Sequence, residues 1–303
     1  MATTLHAEEI DVTAYRAYYE PLERPADADG DTADGDIAEG EFEYFQPTAA
    51  TVSVWSSALQ HGGPPTGLLV RTMEHVVADQ ASAQDFSRVT MEILGAIGLG
   101  VCRVRAHVSR PGRQISQVTA EMQEQQGDGS FRTVARATAW RLSTRDTRAV
   151  ETAPHPVPMQ TPDDLPRTVG FTGADGIAVA WGRIGFIGTL EIAISAGRTG
   201  TTPTVWTRPL LPLVDGEELS DLASAMTVID IANGVGSPLD PTQWSWMNTD
   251  TTVHLTNAPR GPWIGIDSAL AAGGSGYGAS LADLYDTTGF IGRSAQTVLI
   301  APQ

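Results

Sequence analysis

Three short stretches of this chain hold the residues best suited to chemistry. The last, "GRSAQTVLI" (residues 292–300), sets an amide, Gln296, inside an otherwise apolar, strand-like run. Such a side chain accepts through its carbonyl and donates through its NH₂, so it suits orienting a small polar molecule better than moving a proton. In "NTDTTVHL", Asp250 offers a carboxylate just before a strand. An ordinary carboxylate is a weak base at neutral pH and needs partial burial to do better. Capping a turn or pairing with a surface arginine is its plainer use. "HGGPP" (61–65) opens a helix, and the backbone N–H groups of a first turn are a natural place to hold an anion or a developing oxyanion. Gly62 and Gly63 allow backbone to come close to a ligand there, and His61 stands beside them as a ligand contact or a helix-entry residue. Asp230 and Asn233, near the end of a second helix, read as C-terminal turn residues.

Other catalytic designs are missing. No G-x-S-x-G elbow occurs, and the single cysteine, Cys102, lies in the alternating run "VCRVRAHV" as a small core hydrophobe, with no histidine partner in view. The six histidines show no H-E-x-x-H or other metal-ligand spacing, so neither metal nor cofactor is expected. "GGSGYG" joins two strands instead of opening a helix, which rules out a dinucleotide fingerprint. A formal net charge of −17 argues against nucleic acid, whose binding needs a basic surface. It also obliges any anionic ligand to find local arginines or helix N-termini.

The elements that must position these residues follow from periodicity. After the acidic, Gly/Asp/Ala-rich segment 26–43, which reads as a solvated loop, "EFEYFQPTAATVSV" suggests one or two strands. "HGGPPTGLLVRTMEHVVADQ" changes to helical spacing at Leu68, Leu69, Met73, Val76 and Val77, with prolines suited to a first turn. Four strand-like runs follow, from "RVTMEIL" to "RTVARATAWRLS". Residues 144–167, with five prolines, form a connector. The second half repeats the order: strand-like "IAVAWGRIGFIG" and "TVWTRP", a helix over 218–237 marked by Leu219, Leu222, Met226 and Ile229, then four more strands ending in "GRSAQTVLI". The class is α+β, one helix and an antiparallel sheet, twice. When the two final strands are aligned, Gln296 stands where the first half has Ala139, so the amide belongs to one half only. The expected units are 1–143, a linker over 144–167, and 168–303. No stretch has the roughly 18 uncharged apolar residues of a membrane-spanning helix, and the start lacks a signal peptide's basic and apolar regions. A cytoplasmic protein is expected.

"HGGPP", "DIANGVGS", "NTDTTVHLTNAPRGPWIGID" and "GRSAQTVLI", in this order, resemble the thioesterase II family of acyl-CoA thioesterases. The resemblance runs from about Glu41 to Ala301. It implies two fused hotdog folds, each a long antiparallel sheet wrapped around a central helix. It also implies hydrolysis of acyl-CoA without metal or cofactor, by a water held among an aspartate, a Ser/Thr hydroxyl and a glutamine of the second hotdog. On this reading Asp250 and Gln296 occupy the aspartate and glutamine positions. The hydroxyl position falls at Leu270 or Ala271, which leaves Ser268 or Ser275 of "SALAAGGSG" to substitute. His61, Gly62 and Gly63 would meet substrate, and a homo-oligomer, dimer or higher, is expected. A second reading, an acyl-ligand-binding double hotdog with little turnover, follows from the missing hydroxyl.

Overall fold

The structure, a computed structural model, describes residues 9–24, 40–78, 83–154, 160–172, 179, 181–195 and 203–303. Most of the acidic segment 26–43 lies outside them.

The first half contains β1 (Tyr19–Leu22), β2 (Glu43–Pro47), β3 (Val52–Ser53), β4 (Ser56–Gln60), the helix α1 (Gly63–Val77), β5 (Gln84–Ile93), β6 (Cys102–Arg110), β7 (Ile115–Gln125) and β8 (Phe131–Ser143). The second contains β9 (Arg167–Val169), α2 (Gly185–Gly188), β10 (Leu190–Ser195), β11 (Thr204–Pro209), α3 (Asp221–Ile229) and α4 (Ala232–Val235). It closes with β12 (Trp244–Asn248), β13 (Asp250–Leu255), β14 (Ile264–Ala272), β15 (Tyr277–Asp286) and β16 (Gly289–Pro302). Two local expectations change. The "IAVAWGRIGFIG" stretch, where described, is a turn and the single-turn α2, and the strand there is the following β10. The helix expected over 218–237 is broken at Asp230, which caps α3 before α4 begins.

Among the described residues, β1-β2-β6-β7-β8-β5-β13-β16-β15-β14-β11-β10-β9 form one continuous sheet, with β12 also paired to β16. The strand order is itself the duplication: β6-β7-β8-β5 on one side of the centre repeats as β14-β15-β16-β13 on the other. The halves meet where β5 and β13 pair antiparallel, and there Thr252 Oγ1 donates to Thr90 Oγ1 at 3.2 Å. On β8, Ala139 pairs with Val118 of β7 and Val89 of β5. On β16, Gln296 pairs with Ser280 of β15 and lies opposite Thr251 of β13, one step beyond the Thr252–Ala295 pair. Gln296 and Thr251 therefore occupy the places that Ala139 and Val89 hold in the first half.

Both central helices lie against the inner face of the sheet and cross each other closely. Glycine permits the approach: a Cβ on Gly63 would sit 2.3 Å from the Thr227 carbonyl oxygen, and one on Gly67 2.0 Å from Thr227 Oγ1. Leu68, Leu69, Met73, Met226, Val228 and Ile229 are fully buried in the shared core. The N-terminus of α1 is thereby fixed beside the C-terminus of α3.

Candidate active site

Strand alternation decides which side chains reach this helix junction. Along β13, Thr251 and Val253 are fully buried against the helices, so Asp250 and Thr252 point to the other face of the sheet. Asp250 is held there by the Thr297 N–H, which donates to Oδ1 at 3.0 Å, and by the Thr249 hydroxyl at 3.4 Å. Along β16, Ser294, Gln296 and Val298 face inward. Asp250 and Gln296 are thus on opposite faces of the sheet, and the expected pairing of the two is corrected: a position one residue along a strand faces the other way.

The carboxylate joined to Gln296, through the Thr251 hydroxyl, is that of Asp230. It is 1% exposed, and its Oδ1 accepts from Asn248 Nδ2 at 2.7 Å and Thr251 Oγ1 at 2.9 Å. Gln296 Nε2 donates to Thr251 Oγ1 at 3.0 Å and to the Asp230 carbonyl at 2.9 Å. Both amide hydrogens are spent, which fixes the amide's orientation: the donor chain runs from Gln296 through Thr251 to Asp230. Asn233 Nδ2 donates to Asn248 Oδ1 at 3.3 Å and steadies the asparagine from α4.

His61 completes the cluster from the first half. Its ring lies on Phe186 at 4.8 Å, and its Nδ1 is 3.1 Å from the Gly63 N–H and 3.2 Å from Asp230 Oδ2. One nitrogen cannot both accept from Gly63 and donate to Asp230. With the lone pair on Nδ1, Asp230 Oδ2 has no donor among the described residues; with a proton there, the Gly63 N–H is released. Gly62 is required at the helix entry, because a Cβ on it would lie 2.7 Å from Asp230 Oδ2. The positive end of α1 also faces the carboxylate, which favours its ionised form. Burial pushes the Asp230 carboxyl up; when His61 Nδ1 carries a proton and donates to Oδ2, that contact, with those of Asn248 and Thr251, outweighs burial and holds the carboxyl below an ordinary aspartate's value.

Two acceptors, Asp230 Oδ2 and Gln296 Oε1, are therefore buried and unpaired when His61 Nδ1 accepts from Gly63. An unsatisfied buried acceptor costs about 1–3 kcal/mol, and two in one cluster mark a place built to receive a donor.

The expected hydroxyls lie elsewhere. Ser268 is buried beneath α4, where its Oγ donates to the Ala232 carbonyl at 2.7 Å and pairs with Ser280 Oγ at 3.0 Å. It anchors the helix that follows Asp230 without touching the Asp230 carboxylate. Ser275 lies in the exposed turn between β14 and β15. Leu270 packs with Trp246, Val298 and Ile300, and Ala271 is exposed. Thr251 and Asn248 escaped the sequence reading, although alternation with Val253 marks Thr251 as inward. Among the described residues no group of three His, Cys, Asp or Glu side chains is placed to hold a metal.

An apolar pocket opens beside the cluster. Val54, Trp55, Phe171, Trp181, Ile187, Ile231, Val235 and Trp246 line it, and its polar lining is His61, Asn233 and Gln303.

Comparison with known proteins identifies the family. The models of the acyl-CoA thioesterase N-terminal and C-terminal domains match residues 51–142 and 155–300. The chain belongs to the acyl-CoA thioesterase family: it is a double-hotdog thioester hydrolase. Similar solved structures include a protein of unknown function with a hot dog fold from Alicyclobacillus acidocaldarius, 15% identical, TM-score 0.61, covering 86% of this chain and 93% of that one. The acyl-CoA thioesterase II TesB2 of Mycobacterium marinum is 13% identical, TM-score 0.59, covering 88% and 95%. The tesB protein of Mycobacterium avium subs paratuberculosis is 13% identical, TM-score 0.53, covering 87% and 96%. At these identities the likeness is one of fold. No curated protein matches the sequence.

Proposed function

We propose that Asp230, Thr251 and Gln296 hydrolyse an acyl-CoA thioester with a water bound between Asp230 Oδ2 and Gln296 Oε1. The observation that carries this is the pair of buried, unpaired acceptors at the end of an ordered donor chain. Asp230 takes one proton as the water oxygen bonds to the thioester carbon, and Gln296 Oε1 accepts from the water's other hydrogen and aims its lone pair. Collapse of the tetrahedral intermediate breaks the C–S bond. The proton on Asp230 then passes to the departing thiolate, giving free acid and CoA. A carboxylate held below the ordinary range is a weak base, so its help lies at the low end of the usual range of about 10² to 10⁴ in rate, and a thioester, a reactive acyl donor, needs little more.

Thr251 supplies the hydroxyl whose absence motivated the non-catalytic reading, so that reading loses its support. Thiol release from acyl-CoA tests the assignment. Asp230→Asn is expected to lower kcat by about 10², Gln296→Ala by less, and Asp250→Asn hardly at all. Full activity in Asp230→Asn, or loss of activity in Asp250→Asn alone, would overturn it.

The same reading places the protein in the cytoplasm, where acyl-CoA is found, and as a homo-oligomer. Met247, Leu299 and Tyr277 are cross-strand neighbours on the outer face of the second half, and Leu281 is 62% exposed on the same face among Ala269 and Ala295. On a chain of net charge −17, this apolar patch, bordered on the same face by the Asp283–Arg293 ion pair, is where two copies can meet with least repulsion. Light scattering is expected to give a dimer or larger; a monomer refutes it.

A further inference from the structure

We infer that the pocket beside Asp230 is an end-stopped acyl pocket that selects compact acyl groups, short and branched, over long linear chains. The inference rests on the thioesterase reading above. Three observations support it.

The lining comes first. No charged side chain other than His61, whose charge depends on protonation, is among the described lining residues, and the remaining polar contacts come from Asn233 and Gln303. The phosphates of CoA have nothing to meet there, whereas an acyl group does.

One wall of the pocket is made of aromatic rings with firm backing. Trp55, at the β3–β4 turn, meets Trp246 edge-on, with centroids 5.2 Å apart and planes at 75°. Trp246 is 6% exposed and packs in turn on Leu270, Val298 and Ile300, with Leu239 beside them. A chain entering past His61 and Ile231 ends against this wall, which cannot yield without disturbing a packed cluster. Phe171 and Trp181, 5.5 Å apart, offer a second aromatic side to a branched group.

The room is small. The free interior is about 60 Å³, counted as space open to the centres of water-sized contents. A water needs roughly 10–15 Å³ on that measure, so the pocket takes roughly four to six non-hydrogen atoms. That suits an isobutyryl or isovaleryl group, of five and six non-hydrogen atoms, and leaves a long-chain fatty acyl group largely outside.

The test is a panel of isobutyryl-, isovaleryl-, decanoyl- and palmitoyl-CoA, compared by kcat/KM on wild type, Trp246→Ala and Trp55→Ala. Wild type is expected to favour the first two over palmitoyl by about tenfold or more. Each tryptophan variant is expected to raise the palmitoyl-to-isobutyryl ratio by about tenfold. Trp55 is half-buried at a turn, so its variant serves if Trp246→Ala fails to fold. A wild type fastest on palmitoyl-CoA overturns the inference, and so do variants whose KM rises equally for every acyl group, since the pocket would then hold pantetheine. Thioether analogues with the same four acyl groups, titrated by calorimetry, read the preference without turnover. If these show it while no thioester is hydrolysed, the catalytic reading fails and the pocket's selectivity stands.

Discussion

The two ends of the crossed helices carry the same device put to different uses. At one end Asp230, capping α3, faces the entry of α1; at the other Glu74, on α1, accepts from Ser220 Oγ, the N-cap of α3, at 2.6 Å. Each places a carboxylate against the positive end of the opposite helix. Their surroundings move them in opposite directions. Burial pushes Glu74 up, one hydroxyl donor does not offset it, and the like charge of Asp221 adds to the rise. Asp230 is more deeply buried, yet three polar partners hold it down. The sheet beneath differs in the same sense: Thr251 and Gln296 at one end, Val89 and Ala139 at the other, all four fully buried or nearly so. Duplication supplied two junctions, and polar partners on β13 and β16 made a site of one of them.

The largest effect expected from this difference lies in the acid limb of the rate. A general base must be deprotonated, so kcat should hold through neutral pH and fall only below the ordinary carboxylate range, because the Asp230 carboxyl is held down. Stability follows the same sign. A group whose folded-state pKa is depressed contributes stability above its unfolded pKa and loses it as pH falls through the folded value. Thermal melts of wild type should therefore drop more steeply on acidification than those of Asp230→Asn. Parallel curves would mean that Asp230 is not the held-down carboxylate.

Much of this architecture was legible in the sequence, because helix and strand periods differ and occur twice in the same order. That Gln296 stands out was legible too, since an amide among Val298, Leu299 and Ile300 has to be paid for by partners, which it finds in Thr251 and the Asp230 carbonyl. Its carboxylate partner was not. "NTDTTVHL" presents Asp250 and Thr251 side by side, and only the register of β13 on β5 and β16 says which of them faces the helices. Asp230 was hidden for another reason. A polar residue after a helical apolar run reads as a cap, and here it is a cap whose carboxylate is also the centre of the site. The hydroxyl was sought in "SALAAGGSG" although Thr251 lay one residue from the favoured aspartate. The pocket's end wall joins Trp55 to Trp246 across the molecule, a contact no local pattern reports.

A graft tests whether the amide alone makes a site. Ala139→Gln puts the side chain of Gln296 at the matching place in the first half, where the neighbours are Val118 and Val89. With no donor or acceptor partner there, the buried amide is expected to cost about 1–3 kcal/mol of stability and add no thioesterase activity. Denaturant unfolding reads the first and thiol release in an Asp230→Asn background the second. New activity in that background would show that the first junction needs only the amide, and that Asp230's polar partners are not what distinguishes the halves.

The smallest effect is expected at Glu74. A carboxylate whose folded-state pKa is raised favours the protonated form on folding, so its ionisation weakens the fold once pH exceeds the unfolded value. Glu74→Gln keeps an acceptor for Ser220 and removes the charge near Asp221. Melts at neutral pH should show a gain of about 0.5 kcal/mol or less, and melts at a pH low enough to protonate free glutamate should show none. The opposite pattern, a loss at neutral pH, would mean that the positive end of α3 needs the charge as much as α1 needs Asp230, and that the two junctions differ in their sheet partners alone.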